Sequence, residues 1–244
     1  MKNASKKGNV DILDFDKYFL QHIAIDTVIL GFREAKMMVL LLQYKNTKGY
    51  ALPGGFIFKN ENINDAARRI LKDRTGLDNI YLEQFYTFGD TSRQDKSMQQ
   101  ILKARGIKPP KDHFLLDRFI SIGYYALVNC AHTSPTKDAL SDDCKWVDIK
   151  KIPQLIQDHN KMIERALHCL RKDLDQKLIA LNLMPETFTM NELQTLYETI
   201  QGKKIRRTSF QRKIINMDIL TMVKKKMTGA ANKAPYLYKF KLRK

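Results

Sequence analysis

The sequence predicts an α+β fold in two parts: a larger domain built on a β-sheet with packed helices, then a small, basic, mainly helical domain. Short β-branched and aliphatic runs bounded by turn or charged residues indicate buried strands in the first part. A helical pattern follows a pair of glycines near residue 55. Residues 185–244 contain ten lysines and four arginines against four acidic residues, together with two helix-start signals.

The strand pattern runs through the first 150 residues, after a polar stretch, residues 1–14, that we interpret as a mobile arm. A turn at residues 33–36 separates the first two strands, and the fourth is the clearest of all. The predicted strands are residues 23–31, 37–44, 80–88, 118–129 and 144–149. A helical region is predicted to begin within residues 152–158 and to continue from residue 161 to about residue 180.

Residues 52–77 hold the most specific pattern in the chain. Gly54 and Gly55 allow backbone conformations that other residues avoid, and a helix follows them. Its apolar positions recur at helical spacing, and Gly76 provides a C-terminal stop. These positions are Ile63, Ala66, Ala67, Ile70 and Leu71.

The spacing within this segment resembles a Nudix box in degenerate form. Gly55 is followed at fixed intervals by Glu61, Arg69, Leu71, Asp73, Gly76 and Leu77. The resemblance implies a glycine loop and a helix with three glutamates that hold a phosphate-bound Mg²⁺. In their places the chain has Ile70, Asp73 and Arg74.

The three replacements have unequal consequences. Ile70 and Arg74 are four residues apart and share a helix face, where Ile70 has no lone pair and Arg74 repels a cation. Asp73 and Glu61 leave two carboxylates, which are too few for a hydrolytic metal cluster. We therefore predict no metal, no cofactor and no enzymatic activity, with Glu61, Arg69 and Asp73 holding loop and helix together by ion pairs.

The order of strands and helices is that of the Nudix α/β/α sandwich, so the resemblance implies such a domain with a mixed sheet over residues 15–180. One departure is a long connection at residues 90–116, which contains a predicted helix at 97–104 ended by Pro109 and Pro110. Long connections of this kind are usually functional or disordered. A lid over the pocket and a disordered insertion both stay open.

The resemblance also suggests where a small effector would bind, because the strand after the long connection faces the box in the Nudix fold. Arg118 could bind hydroxyls or a phosphate. Packing in the core is the commoner role for Tyr124 and Trp146, and it is the safer interpretation for Phe56 and Phe58. The candidate effector-binding residues are Phe56, Phe58, Asp90, Arg118 and Tyr124.

A second domain is predicted over residues 185–244, after a boundary at 182–186. A capping box at Thr189 opens one helix, which ends at Gly202. A second capping box, at Thr208, opens another helix that buries Phe210, Ile214 and Met217. Residues 222–226 and 236–242 then predict a hairpin whose inward side chains are Tyr236, Tyr238, Phe240 and Leu242.

Two helices joined by a short turn and followed by a hairpin are typical of a winged helix-turn-helix. Residues 188–214 and 234–240 resemble the C-terminal domain of the Nudix-related transcriptional regulators, within which they are most similar to regulators of sugar utilisation. That group usually has Asn at Ser209 and Arg-Pro at Lys233-Ala234, and Ser209 can still cap a helix or contact a phosphate. The candidate DNA-binding residues are Arg206, Arg207, Thr208, Ser209, Gln211, Arg212, Lys213, Lys233 and Lys239; Lys224 to Lys226 are as well explained as plain surface.

Composition narrows the function classes further. A net charge of +17 favours a polyanionic partner such as nucleic acid. The three cysteines are odd in number and lack a C-x-x-C, which argues against a disulfide framework or a zinc site. No apolar run is long enough to span a bilayer, and the lysine-rich first ten residues lack a signal-peptide core, so a cytoplasmic protein is expected.

The favoured hypothesis is a transcriptional regulator whose inactive Nudix-like domain senses an effector and controls a winged helix on an operator in double-stranded DNA. The resemblance favours a sugar or sugar nucleotide, a pentose first, with ADP-ribose as the main competitor. A homodimer is expected, because two winged helices can read two half-sites. The alternatives are an active pyrophosphohydrolase of the ADP-ribose type with a basic appendage, and an RNA-binding module without an effector.

Overall fold

The computed structural model describes residues 11–44, 47, 49–78, 80–93, 96–130, 133–137, 141–174, 183–226 and 234–241. Its larger part is a seven-stranded mixed sheet in which β1 pairs in parallel with β6 and antiparallel with β2 and β4. β5 pairs with β6, while β3 and β7 pair with β2. The strands are β1 (Phe19–Arg33), β2 (Lys36–Tyr44), β3 (Tyr50–Ala51), β4 (Gly54–Phe58), β5 (Tyr81–Phe88), β6 (Ile120–Val128) and β7 (Ser141–Asp148).

Helices cover both faces of this sheet and complete the α/β/α sandwich that the sequence predicts. They are α1 (Phe15–Tyr18), α2 (Ile63–Thr75), α3 (Ser97–Ala104) and α4 (His159–Asp173). Side chains of a strand alternate between faces, so Ile25 of β1 packs against α2 while Val28 packs against α4. This alternation decides which β1 side chains face the cavity described below.

Most predicted elements of this domain are confirmed, including the β1–β2 turn and the box helix. Glu34 and Ala35 adopt positive φ angles of 51° and 57°, as two-residue hairpin turns require. Gly76 ends α2 in the left-handed conformation with φ 72°. The short strands β3 and β4, on either side of Leu52 and Pro53, were not predicted.

Two expectations near the ends of this domain are wrong. Residues 11–14 are not part of a mobile arm, because Ile12 is buried against Leu102, Phe114 and Leu115; residues 1–10 lie outside the described residues. The predicted helical start within 152–158 is also wrong. That stretch contains Pro153 and is irregular, and α4 begins only at His159; residues 175–180 are not described.

The smaller part is a winged helix that comprises α5, α6 and a three-stranded sheet. Its elements are β8 (Phe188–Thr189), α5 (Met190–Gln201), α6 (Arg207–Asn216), β9 (Leu220–Lys225) and β10 (Tyr236–Phe240). The capping box at Thr189 and Glu192 is present in both directions. The second predicted capping box is wrong: α6 begins at Arg207, its N-cap is Arg206, and no side chain caps it.

The predicted inward alternation of the wing is only partly right. A register shift between Leu237 and Tyr238 interrupts the pairing of β10 with β9, so Tyr236 lies exposed beside Lys225. Tyr238 and Phe240 pack against the core as expected. Leu242 and the predicted tip at residues 229–232 lie outside the described residues.

The hydrophobic core is continuous between the two parts. Buried residues of β1, β2 and α4 belong to the same cluster as Phe188, Leu193 and Phe210 of the winged helix. Arg171 near the end of α4 donates through Nε to the carbonyl of Ile200 in α5 at 2.8 Å. None of the described helices is both long and apolar enough to cross a membrane.

Candidate ligand cavity and nucleic-acid interface

The box segment is held together by an ion pair between its loop and its helix. Arg69 donates to both carboxylate oxygens of Glu61 at 2.7 Å, and its Nη2 also donates to the carbonyl of Phe56 at 2.8 Å. The backbone N–H of Phe58 donates to Glu61 at 3.2 Å. This pair braces β4 against α2, while Asp73 points to solvent.

The face on which a Nudix box would hold its metal is closed by apolar packing. Ile70 is only 2% exposed and lies among Ile25, Ile57 and Tyr124. A Cβ added to Gly55 would lie 2.9 Å from Ile70 Cγ1, so the isoleucine is packed directly against the glycine loop. No group of three or more His, Cys, Asp or Glu side chains suited to a metal occurs within the described ranges.

A cavity of about 440 Å³ opens on the opposite face of the same sheet. β1 and β4 form its floor, and the long connection at residues 90–116 and the start of α4 form its walls. The lining residues are Ala24, Asp26, Tyr44, Leu52, Gly54, Gly55, Phe56, Arg93, Lys96, Met98, Gln99, Lys111, Leu115, Leu116, Asp117, Phe119, Ile156, Gln157 and His159. The described part of the connection therefore packs over the cavity, as the lid interpretation expects.

A buried arginine organises the polar end of the cavity. Arg93 is 3% exposed and forms an ion pair with Asp158 through Nη1, while its Nη2 lies 3.5 Å from Asp26 Oδ2. Its Nε donates to the carbonyl of Phe119 at 3.1 Å, and Nη2 donates to Gln157 at 3.3 Å. Because a buried charge needs compensating partners, this arrangement fixes the insertion onto the sheet.

His159 joins the same cluster at the first residue of α4. The N–H of Leu52 donates to its Nδ1 at 3.0 Å, so Nδ1 carries the lone pair and a neutral ring holds its proton on Nε2. His159 Nε2 lies 3.7 Å from Asp26 Oδ2. The ring thus links the β3–β4 connection, the acid on β1 and the helix α4.

Asp26 presents a carboxylate oxygen toward the cavity. Oδ2 accepts from Ser121 Oγ at 2.5 Å and faces Arg93 and His159. A Cβ at Gly54 would lie 2.4 Å from Oδ1, so only glycine leaves room for that oxygen. Among the described residues all ion-pair and hydrogen-bond partners found for this side chain lie at Oδ2, which leaves Oδ1 able to accept from a ligand hydroxyl.

The lining of the cavity includes two exposed cations and an aromatic wall, together with the exposed Asp117, whose carboxylate lies 3.0 Å from His22 Nε2. Lys96 and Lys111 are exposed residues of the long connection that line the opening. The rings of Phe56 and Phe119 lie 5.6 Å apart, and both border the same space. The cavity therefore combines cations for phosphate, flat apolar surface for a ring, and a carboxylate for hydroxyl groups.

Of the five candidate effector-binding residues, the structure places only Phe56 in this cavity. Tyr124 lies on the other face of the sheet, where its hydroxyl donates to Asn64 at 2.7 Å, because strand alternation points it toward α2. Phe58 stacks on Phe19 with centroids 4.6 Å apart, which agrees with the packing interpretation.

Asp90 and Arg118 are likewise absent from the cavity lining. Asp90 accepts from the N–H of Ser92 at 2.8 Å and so stabilises the turn that carries Arg93. Hydrogen bonds with the backbone and the side chain of Ser92 hold the pKa of Asp90 below its usual value. Arg118 lies between Asp117 and Phe119, which both line the cavity while it does not.

Sequence reasoning missed Arg93, Asp26 and His159. Asp26 did leave a signal, since it is the single charged residue within the apolar run at 23–31. No feature of the sequence indicates that Arg93 is buried, because an arginine in a polar connection is normally exposed. Its burial depends on how the connection folds back onto the sheet.

The basic surface of the winged helix is the second candidate site. Arg206, Arg207, Thr208, Ser209 and Arg212 are exposed at or after the start of α6. Gln211 is half-buried, and Lys213 Nζ lies 5.6 Å from the ring of Tyr197. Lys239 is exposed on β10, and Lys233 lies outside the described residues. Lys226 pairs with Glu192 at 3.2 Å, so its charge is partly compensated.

Glu198 fixes the turn that positions α6. Its carboxylate accepts from Lys204 Nζ at 2.8 Å, from the N–H of Ile205 at 3.0 Å and from Gln194 Nε2 at 3.0 Å. These hydrogen bonds lower the pKa of Glu198 to about 2. The start of the basic helix is thereby tied to α5 through an ionised carboxylate.

Comparison with known families agrees with this architecture. A family model described as the NUDIX domain matches residues 20–166, and one described as the NrtR DNA-binding winged helix domain matches residues 180–240. These matches and the fold together confirm the predicted union of a Nudix domain with a winged helix.

Individual proteins extend the comparison over most of the chain. The chain is 27% identical over 229 residues to the "ADPR responsive transcriptional repressor NtrR" of Acinetobacter baylyi, covering 90% of this chain and 82% of that protein. The crystal structure of Shewanella oneidensis NrtR complexed with a 27mer DNA superposes with a TM-score of 0.68 at 27% identity, over 91% of this chain and 94% of that one. An ADP-ribose pyrophosphatase of Methanocaldococcus jannaschii is 26% identical over 157 residues, covering 63% of this chain and 78% of that protein.

Proposed function

Because the chain belongs to the Nudix domain family and carries an NrtR-type DNA-binding winged helix domain, we propose that it is a transcriptional repressor that responds to ADP-ribose. The observation that carries this proposal is the cavity on the face of the sheet opposite the box. At about 440 Å³ it lies within the usual range for small-molecule sites.

The groups around the cavity fit the parts of ADP-ribose. Lys96 and Lys111 at the mouth supply positive charge for the diphosphate. Phe56 and Phe119 offer flat apolar surface to the adenine ring. Asp26 accepts from a ribose hydroxyl. ADP-ribose was the competitor to a free pentose in the sequence-based hypothesis, and the name of the Acinetobacter relative favours it. None of the three named proteins is described as a regulator of sugar utilisation.

The proposed repressor binds ADP-ribose without hydrolysing it. Ile70 fills the space beside the glycine loop and Arg74 replaces a second carboxylate, so the box face offers no cluster of ligands for Mg²⁺. The relative that is a pyrophosphatase aligns with only 63% of this chain. An active hydrolase would turn over ADP-ribose with Mg²⁺ at an ordinary rate, on the order of 1 s⁻¹ or more.

Helix α4 gives a physical connection between cavity and winged helix. It starts at His159, which lines the cavity, and runs for 15 residues, about 22 Å, to Asp173. Near its end, Arg171 donates to Ile200 of α5, and Gln201 Nε2 donates to the carbonyl of Arg171 at 3.3 Å. A ligand that shifts His159 therefore moves α4, which is hydrogen-bonded to the DNA-binding domain.

The working unit is proposed to be a homodimer bound to an operator with two half-sites. One winged helix with a few basic contacts discriminates poorly, whereas two related by a two-fold axis read half-sites about 34 Å apart or a multiple of that. Sedimentation of the full-length protein with and without DNA measures the stoichiometry. A monomer in both samples would contradict the dimer.

One experiment tests the proposed function as a whole. Full-length protein selects duplexes from a randomised pool, and its affinity for an enriched duplex is measured with ADP-ribose, ribose, arabinose or no addition. We expect ADP-ribose to change the affinity at least about 10-fold, a coupling of roughly 1.4 kcal/mol, and the two pentoses to leave it unchanged. An effect of a pentose without one of ADP-ribose would overturn the choice of effector.

A further inference from the structure

The outward face of α6 carries an apolar side chain, Ile215, to which the proposed function assigns no role. Ile215 is 67% exposed, the highest value among the exposed large hydrophobic residues of the described chain. Single exposed apolar residues are common on protein surfaces and need no explanation by themselves. The position of Ile215 on the helix is what makes it informative.

The helical register places Ile215 on the half of α6 that faces away from the core. Phe210 and Ile214 are buried in α6, and Met217 packs beside them just after it, so these residues define the inward side. At 3.6 residues per turn, the opposite side passes through positions 208, 212 and 215. Thr208, Arg212 and Ile215 thus form one row with the spacing i, i+4 and i+7, and all three are exposed.

The surroundings of this row favour DNA over a protein partner. Arg206 and Arg207 are exposed where α6 begins, and Arg212 stands within the row itself. A second copy of this surface would be repelled by its own charge, whereas a duplex neutralises it. In the major groove, the 5-methyl group of thymine is the apolar feature that a side chain such as isoleucine can contact.

We propose that Ile215 contacts a thymine 5-methyl group in the major groove and so helps to determine which base pair is bound there. The inference rests on the proposed function, since it requires that α6 enters the groove of an operator. Arg212 and Thr208 of the same row provide the polar contacts, and Ile215 adds discrimination between thymine and the other bases.

The test replaces thymine by uracil, which removes only the methyl group and keeps every hydrogen-bonding atom. An enriched duplex from the randomised pool is resynthesised with uracil at each thymine in turn. Affinities are measured for the full-length wild type, Ile215→Ala, Ile215→Val and the control Ile63→Ala. Ile63 is 42% exposed on α2 and serves as a surface isoleucine on another helix.

At one thymine, uracil should weaken wild-type binding about fourfold, the size expected for one buried methyl group. Ile215→Val and Ile63→Ala should show the same loss, while Ile215→Ala should bind both duplexes equally. If uracil leaves the affinity of the wild type unchanged at every position, or if the loss of affinity persists in Ile215→Ala, the inference about Ile215 is overturned. The proposed function is not affected by either result. Failure of the wild type to enrich any sequence would overturn the proposed function and the inference together.

Discussion

The two faces of the central sheet differ in what they bury beside β4. On the box face, Ile70 packs against Gly55 within a cluster of apolar side chains. On the other face, Asp26 and Arg93 form a buried ionic cluster beside a cavity of about 440 Å³. The same pair of strands thus supports a closed apolar face and an open polar one.

If the cavity binds ADP-ribose as proposed, this difference shows how a Nudix scaffold can bind a ligand without a metal on the box face. The brace formed by Glu61 and Arg69 holds the loop in place without a cation. The polar groups that line the cavity come from β1, from the long connection and from the start of α4. We therefore expect substitutions on either face to change stability, and only substitutions on the cavity face to change ligand affinity strongly.

The largest expected effect is on the cavity face, where Arg93→Ala leaves Asp26 and Asp158 without their buried partner. The free energy of unfolding should fall by about 3–5 kcal/mol. The exposed pair of Arg68 with Asp65 at 3.4 Å provides the control, since Arg68→Ala should cost less than about 1 kcal/mol. Urea denaturation measures both. Equal losses in the two variants would show that the cluster around Arg93 does not stabilise the fold.

A somewhat smaller loss of stability is expected when a carboxylate is introduced on the box face. Ile70→Glu places a charge in an apolar cluster and should lower the unfolding free energy by about 3 kcal/mol, without creating Mg²⁺-dependent activity. Ile63→Glu is the matched control, because it makes the same change at an exposed position of α2. Thermal melting with and without Mg²⁺ is the measurement. Stabilisation of Ile70→Glu by Mg²⁺ would mean that the metal site is still formed.

The brace between loop and helix should have an intermediate effect. Glu61→Ala removes the acceptor of Arg69 and of the Phe58 N–H, at a cost of about 2 kcal/mol. Asp65→Ala, which breaks an exposed pair on the same helix, should change stability by less than about 0.5 kcal/mol. ADP-ribose affinity measured on the folded proteins should change less than threefold in either variant. A large loss of affinity in Glu61→Ala would place Glu61 itself at the ligand.

The smallest expected effect is on the pH dependence of stability and involves Glu198, which lies in the winged helix and on neither face of the central sheet. The folded-state pKa of Glu198, about 2, lies below the ordinary value near 4.3, so its contribution to stability is complete above about pH 4.3. That contribution should be lost as pH falls from about 4.3 to 2. Urea denaturation between pH 5 and pH 3 should show a steeper decline for the wild type than for Glu198→Gln. Parallel declines would indicate that the contacts with Lys204 and Ile205 add no stability.

The sequence was sufficient for the elements whose signals are local. Strand patterns, the Gly76 stop and the capping box at Thr189 depend on neighbouring residues, and the structure shows each of them. The ion pair of Glu61 with Arg69 was also expected, since the box spacing places both at the junction of loop and helix.

The cavity could not be predicted because it depends on contacts between distant segments. Arg93 meets Asp158 across 65 positions of the chain, and Asp26 meets Ser121 across 95. Tyr124 lies on the box face, as expected of its strand, but the sequence could not show that the cavity opens on the opposite face of the sheet. The start of α6 at Arg207 was missed because the turn before it is fixed by Glu198 rather than by a local cap.

The most direct test compares Asp26, the acid that lines the cavity, with Asp73, the acid that the box helix retains. Binding of ADP-ribose is measured by titration calorimetry for the wild type, Asp26→Asn and Asp73→Asn, each with Mg²⁺ and with a chelator. We expect Asp26→Asn to weaken binding about 10-fold, as loss of a hydrogen bond to a charged group should. Asp73→Asn should change the affinity less than twofold, and Mg²⁺ should have no effect on it. Binding that requires Mg²⁺ and is lost in Asp73→Asn but retained in Asp26→Asn would place the ligand on the box face and contradict the account.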